Sequence, residues 1–428
     1  MASRTKPVVS MREYDRLRIR EKRDLERMTI SREDAECLRL LVLDDFPVFG
    51  MGNRCLIAQQ YVGVIELPDF AIEIMPKIYG EVSYESLREV LMRMLLVSNQ
   101  TSSVRKLQSS VSVVKSSFAE MLIETFLNSM KSYATDGLLH DYQKRSRNLD
   151  KVKGRILFNR QVSKNILNPT RFYCRYSSYE FDTEINRFLA CALRHARNMS
   201  HDQHNVAAID GLSLVFDGVS EVSRDAALGY NIEFNSVNER ASDAYLLGRL
   251  ILESMAATTT AGGVEMFTML FDMNLLYERF MYRVCRLIYG RKVTYQKRGV
   301  YLVRRASDGR KLIRLRPDLT LSTLDGSWVL DTKWKTPRGF AKESDVYQMN
   351  AYATGIRNVR RVVLLYPKVS STSRMVGEYT LVKNEEVSGC QLDIRVIDLA
   401  LCLNWYEFLD SVERAIGNPE LVSVTTAS

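Results

Sequence analysis

The sequence contains no CxxC pair and no histidine at zinc-site spacing. Its seven cysteines, at positions 37, 55, 174, 191, 285, 390 and 402, are scattered and odd in number, a pattern that argues against structural zinc and against a disulfide framework. His201 and His204 form the only close histidine pair. With no third ligand nearby, they read as part of a polar loop. No apolar run approaches the roughly 18 to 20 residues that a membrane span requires, and the opening MASRTKPVVSMREYDRLR lacks the apolar stretch of a signal peptide. A soluble cytoplasmic protein is expected, with no membrane partner. A GxxxxGK[ST] phosphate loop is also missing: GMGNRC, at 50–55, has neither the lysine nor the spacing. Nucleotide binding by this chain is therefore not expected.

What is present suits packed cores. The chain has 428 residues, 46% of them hydrophobic, which predicts two or three domains. Its 60 basic and 51 acidic residues are unevenly placed. Between Arg283 and Arg316 twelve basic residues face one acid, Asp308, so this stretch carries more than the whole formal charge of +9. Tyr289, Tyr295 and Tyr301 interleave with the charge. Such a stretch fits an anionic partner such as nucleic acid, or simply a solvated basic face.

Periodicity divides the chain into three regions. In the first, 1–100, residues 11–41 have spaced Leu and Met among charges and are expected to form one or two exposed amphipathic helices, or an arm. Gln60 to Leu67 and Phe70 to Met75 read as a β-hairpin turning at Pro68-Asp69. The Ser-rich stretch Val97 to Ser117 reads as a connection. The second region, 101–258, is expected to be mainly helical, with Asp182 as N-cap of a helix through Leu193. AATTTAGGV, at 256–264, reads as a boundary. The third region, 259–428, is a mixed α/β domain. It begins with a long helix at about 264–289, followed by strands near 292–297, 300–304, 311–321 and 327–334, a helix near 343–356 and a strand at 359–366. The order αβββαβ is then completed by a strand at 391–397 and a helix at 399–416.

The sharpest local feature is Arg316-Pro317-Asp318 followed, twelve residues later, by Asp331-Thr332-Lys333. Strand alternation puts Asp331 and Lys333 on one face. A hairpin turning at Leu324 to Ser327 folds Asp318 back beside Asp331. Two adjacent carboxylates repel unless a cation or a shared proton neutralises them. Mg²⁺ is the natural ion, with Mn²⁺ as the alternative, and the chemistry is metal-assisted phosphodiester hydrolysis with Lys333 positioning the nucleophile or stabilising the anionic transition state. Glu278, on the preceding helix, is a third acid that either reaches the metal or pairs with a neighbouring arginine. Gln348 and, one turn on, Tyr352 on the following helix are placed to approach the same cleft, with core packing the expected role of Tyr352. Arg314, Arg316, Lys335, Arg338 and Lys342 are candidates for a DNA-phosphate cleft, although any one of them can be an ordinary surface charge. The bland reading of Asp331 and Lys333 is a salt-bridged strand pair.

These positions resemble the PD-(D/E)xK nuclease superfamily, with Asp318, Asp331 and Lys333 filling its pattern. The segments YVGVIELPDFAIEIMPKI (61–78), VKGRILF (152–158), DTEINRFLACAL (182–193), NLLYERFMYRVCR (274–286) and VYQMNAYA (346–353) are similar to the McrC family, the nuclease subunit of McrBC-type restriction systems. The resemblance runs from about residue 60 onward and leaves the first 60 residues unplaced. It implies a C-terminal restriction-endonuclease-like domain that cuts double-stranded DNA as part of anti-phage defence. It also implies a hexameric McrB-like AAA+ GTPase as partner, docked by the N-terminal and middle parts and stimulated by this chain. A double-strand break then needs self-association or two cutting events. Two alternatives remain: an adaptor that bridges motor rings without cutting, and a stand-alone DNA repair nuclease.

Overall fold

The computed structural model describes residues 6–43, 45–78, 80, 82–100, 117–254, 266–335, 340–369, 376–383 and 386–418. Among these, 119–254 form one compact unit, while 6–118 together with 266–418 form another. The two ends of the described sequence thus belong to one body. The expected boundary at 256–264 and most of the Ser-rich connection lie outside the described residues.

A four-stranded sheet joins the ends of the larger unit. Its strands are β1 (Val8–Arg12), β3 (Tyr61–Glu66), β4 (Ala71–Met75) and β5 (Phe267–Asp272), and β2 (Arg16–Ile19) belongs to a neighbouring sheet. The order is β1-β4-β3-β5, with β1 parallel to β4 and the other pairs antiparallel. The expected hairpin is therefore present as β3 and β4. Every residue of β4 is buried, because both faces of the sheet are covered. The carboxylate of Glu73 in that strand is held by Arg88 Nη2 at 2.6 Å, from the helix Tyr84–Ser98. A buried charge survives there only because it is paired and hydrogen-bonded.

Two helical expectations are overturned by strands. Residues 11–30 hold β1, β2 and Thr29–Ile30, with a single short helix only at Arg32–Arg39. In Arg16-Leu17-Arg18-Ile19-Arg20 the alternation has period two, and fully buried Leu17 faces the core. Similarly, the long helix expected from 264 begins only at Met273. Phe267–Asp272 is a strand that pairs with β3, and Asp272 then caps helix α1 (Met273–Tyr289) by accepting from Asn274 N at 2.7 Å.

After α1 the chain builds a six-stranded sheet from β6 (Val293–Tyr295), β7 (Leu319–Ser322), β8 (Ser327–Thr332), β9 (Val359–Pro367), β10 (Gly377–Lys383) and β11 (Glu386–Ile397). The order is β6-β7-β8-β9-β11-β10, with β8, β9 and β11 parallel and the remaining pairs antiparallel. Helix α2 (Glu343–Gly355) connects β8 to β9, and helix α3 (Trp405–Ile416) follows the sheet. The expected strands at 300–304 and 311–321 shrink to a separate ribbon, Val300–Tyr301 with Arg314–Leu315, together with β7. The strand β10 is absent from the sequence reading.

The unit 119–254 is largely helical, including Phe118–Thr135, Glu184–Met199 and Ser242–Ser254. It also contains an unexpected three-stranded antiparallel sheet, Asp141–Leu149, Arg155–Ile156 and Phe172–Glu180. Thr183, not Asp182, caps the helix Glu184–Met199. Asp182 instead accepts from Arg187 and Ser220. No helix among the described residues is long and apolar enough to cross a membrane.

Gly63 in β3 is a point where backbone geometry admits no side chain. Its φ is +130°, and an added Cβ would lie 2.0 Å from the Met269 carbonyl oxygen on β5. Gly63→Ala is expected to cost roughly 3 kcal/mol or more of stability, because the obstruction is backbone and cannot rotate away. Denaturant unfolding of the full chain measures this.

Candidate active site

The end of β8 carries the chemistry. Asp331 and Thr332 are its last residues, and Lys333 N donates to Leu365 O at 2.9 Å, so the ladder with β9 continues one residue further. That continuation preserves the alternation, and Lys333 Nζ returns to Asp331 Oδ2 as an ion pair. On the opposite face the Trp334 indole donates to Glu13 Oε1 at 2.9 Å and lies against the Tyr277 ring. The N-terminal strand thereby anchors the backbone just beyond the lysine.

Asp318 arrives from β7. The register Leu319↔Leu330 through Ser322↔Ser327 folds it back beside the end of β8, and Thr323 N closes the turn on Gly326 O at 2.9 Å. One oxygen, Asp318 Oδ2, accepts from both Thr332 N and Thr332 Oγ1, each at 2.7 Å. On helix α2, Gln348 Oε1 accepts from Lys333 Nζ at 2.8 Å, and Gln348 Nε2 donates to Tyr352 Oη at 2.8 Å. Tyr352 Oη completes the chain by donating to Arg316 O at 3.0 Å. Lysine, glutamine and tyrosine are thus held in one line.

The electrostatics are those of charges removed from water. Burial, reinforced by the charges of Asp331 and Glu278, pushes the Asp318 carboxyl up to about 7, against the opposing hydrogen bonds from Thr332. Burial likewise raises Asp331, which is fully inaccessible, although the Lys333 ammonium opposes the shift. For Lys333, burial disfavours the charge, but Asp331, then Asp318 and Asp345, outweigh it and hold the ammonium above its ordinary range.

Among the described residues neither oxygen of the buried Asp331 carboxylate has a hydrogen-bond partner; the carboxylate is held by its ion pair with Lys333. An unsatisfied buried carboxylate oxygen beside a second, repelled carboxylate fits a divalent cation held by Asp318 and Asp331. Glu278 is bonded elsewhere. Its Oε1 accepts from Gln296 Nε2 at 2.6 Å, and among the described residues no group of three acids, cysteines or histidines is close enough to hold one ion. Its charge nevertheless reaches both aspartates.

The basic candidates divide. Arg314, Arg316 and Lys342 are exposed, and Arg316 also donates to Gln296. Lys335 Nζ is committed to Asp345 Oδ1 at 2.6 Å, and Arg338 lies outside the described residues. Among the interleaved tyrosines, Tyr289 is buried and donates to Gly417 O at 2.9 Å, so it belongs to the core. Sequence reasoning missed Thr332, Gln296 and Asp345. Asp345 is buried and also accepts from Tyr366 Oη at 2.8 Å. The one signal for it was an acid in the first turn of the helix carrying Gln348, too common to single out.

Comparison with known proteins agrees with this architecture. A search of curated proteins finds no match. Among solved structures, the chain is similar to one described as a refined half-complex from a tetradecameric assembly of Thermococcus gammatolerans McrB AAA+ hexamers with bound McrC. The identity is 17% and the TM-score 0.64, over 95% of this chain and 99% of that one. A cryo-EM structure of the Thermococcus gammatolerans McrBC complex matches at 21% identity and a TM-score of 0.47, over 65% of this chain and 86% of that one. The family model described as McrBC 5-methylcytosine restriction system component spans residues 56–367, taking in β3, β4, α1 and the whole Asp318, Asp331, Lys333 and Gln348 constellation. The chain belongs to the McrBC 5-methylcytosine restriction system component family.

Proposed function

We propose that this chain is the metal-dependent DNA endonuclease subunit of a McrBC-type restriction system, with a PD-(D/E)xK catalytic core. The observation that carries the reading is the Asp331 carboxylate, buried beside Asp318 and Lys333 at the end of β8 with no hydrogen-bond partner among the described residues. The order α1, β6, β7, β8, α2, β9 supports the core assignment. A buried salt bridge serving stability alone gains nothing from a second carboxylate placed to repel the first.

Asp318 and Asp331 would hold Mg²⁺, or Mn²⁺ in its place. A divalent ion supplies Lewis-acid charge to the scissile phosphate and acidifies water beside it. Lys333 contributes as a cation. Its ammonium is held above the ordinary range and fixed by Gln348, so it donates to a phosphate oxygen as negative charge grows and does not serve as a base. Thr332 orients Asp318 by binding one oxygen and leaving the other for the ion. Glu278 adds negative potential that favours cation entry, while Arg314, Arg316 and Lys342 lie on the chain segments flanking the site and attract DNA phosphates.

One such site cuts one strand, so a double-strand break requires two copies or two events. The similar solved structure contains McrC bound to McrB AAA+ hexamers. By that likeness this chain works with a McrB-like AAA+ GTPase hexamer, whose nucleotide hydrolysis it stimulates.

Asp331→Ala and Lys333→Ala are each expected to lower cleavage by at least about 100-fold, while stimulation of the partner GTPase persists. Retained cutting by the purified double variant rejects the site. Loss of stimulation together with cutting instead indicates that the substitutions disturb docking.

The raised pKa of Asp318 also yields a test without DNA. Between the ordinary carboxylate range and about pH 7 the folded state keeps a proton that the unfolded chain has released. Metal-free stability from this group therefore falls as pH rises through that window. Asp318→Asn removes the titration, so the variant is expected to gain on the wild type as pH increases from 5 to 8, by on the order of a few kcal/mol. Mg²⁺ should narrow the difference by binding only the wild type. Urea unfolding at several pH values, with EDTA or Mg²⁺, reads both effects.

A further inference from the structure

The matched family segment begins at residue 56, downstream of most of the small N-terminal sheet. That sheet runs Thr29–Ile30, β2, Cys55–Ala58, Phe49–Gly52. Its strand β2 opens the run Arg16-Leu17-Arg18-Ile19-Arg20. Leu17 packs into the core, and alternation sends Arg16, Arg18 and Arg20 to the other side, where all three are exposed.

Arg54 joins them from the turn between the two following strands, its backbone bonded to Ile19 N at 2.9 Å. It has φ +54°, a conformation that favours glycine. Arg27 comes from the loop before Thr29. Together the five arginines, with Asn53, line a concave cavity of about 590 Å³ whose lining includes no acid. Among the described residues, the side chains of Arg16, Arg18, Arg20 and Arg54 make no ion pair, and Arg27 has only an exposed contact with Asp24 at 3.6 Å. Five like charges turned into one hollow repel one another, and among the described residues only the exposed Asp24 contact with Arg27 offsets that repulsion.

We propose that this arginine-lined hollow binds the phosphate backbone of DNA. Guanidinium groups pair bidentately with phosphate oxygens, and alternate residues of a strand stand about 6.6 to 6.8 Å apart, close to the step between successive phosphates on one strand. No aromatic side chain lines the cavity. Base stacking is therefore not part of the recognition, and the contact is sequence-independent. The choice of DNA among polyanions rests on the nuclease reading. The hollow would then hold substrate apart from the cutting centre, giving the chain a second grip on the duplex.

The test is equilibrium binding of a short labelled duplex to the full chain in EDTA, across a salt series. The variants are Arg16→Ala/Arg18→Ala/Arg54→Ala and the corresponding lysine triple. The alanine triple is expected to bind at least about 10-fold more weakly, with the salt slope reduced by about 2 to 3, whereas the lysine triple keeps the slope. If the alanine triple does not fold, Arg18→Ala alone should reduce the slope by about 1. Folded alanine variants with wild-type affinity and slope overturn the proposal. So does unchanged DNA binding with lost stimulation of the partner GTPase, which would assign the hollow to an acidic protein surface. Cleavage by the wild type with Mg²⁺ and partner is scored separately, so failure of the nuclease reading is distinguishable from failure of this one.

Discussion

Desolvation of the Asp331 carboxylate is the constraint around which the larger unit is organised. The strand carrying it is central in its sheet, flanked by β7 and β9, so its last residues leave the ladder at a position water does not reach. Everything nearby answers to that charge. Lys333 pairs with it, Gln348 holds the lysine, Tyr352 holds the glutamine, and Asp318 is kept close despite the repulsion between the two acids. The arrangement tolerates a buried carboxylate without a hydrogen-bond partner among the described residues, which an ordinary core would eliminate.

The support for this centre extends well beyond the C-terminal sheet. Glu13, fully buried on the chain just after β1, accepts the Trp334 indole and the Lys77 backbone, and burial pushes its carboxyl up to about 8. The residue after the lysine side chain's strand is thus tied to the N-terminal sheet. β5 also pairs with β3 and leads directly into α1, which carries Glu278. The N-terminal strands therefore help position the cleft as well as forming their own layer.

Much of the centre was legible because its signals are local. Period two placed Asp331 with Lys333, and a turn of few residues returned Asp318, so only one hairpin had to be inferred. Gln348 followed from helical spacing. What escaped depends on distant partners. Phe267–Asp272 is an apolar run that periodicity cannot distinguish from the start of a helix, and only its pairing with β3 makes it a strand. Gln296 reaches Glu278 across 18 residues, a contact that no motif announces. The N-terminal error differs in kind. Arg16 to Arg20 alternate with period two, but the abundance of charge around them suggested a solvated helix and obscured the alternation.

The placement of β5 has a consequence for biosynthesis. β3 is an interior strand only after a segment about 200 residues downstream has emerged from the ribosome and joined it. Until then the nascent chain presents an apolar edge, rich in valine and isoleucine, while the intervening unit is still being made. Acquisition of the half that carries Asp318 and Asp331 is therefore also the event that seals the first half.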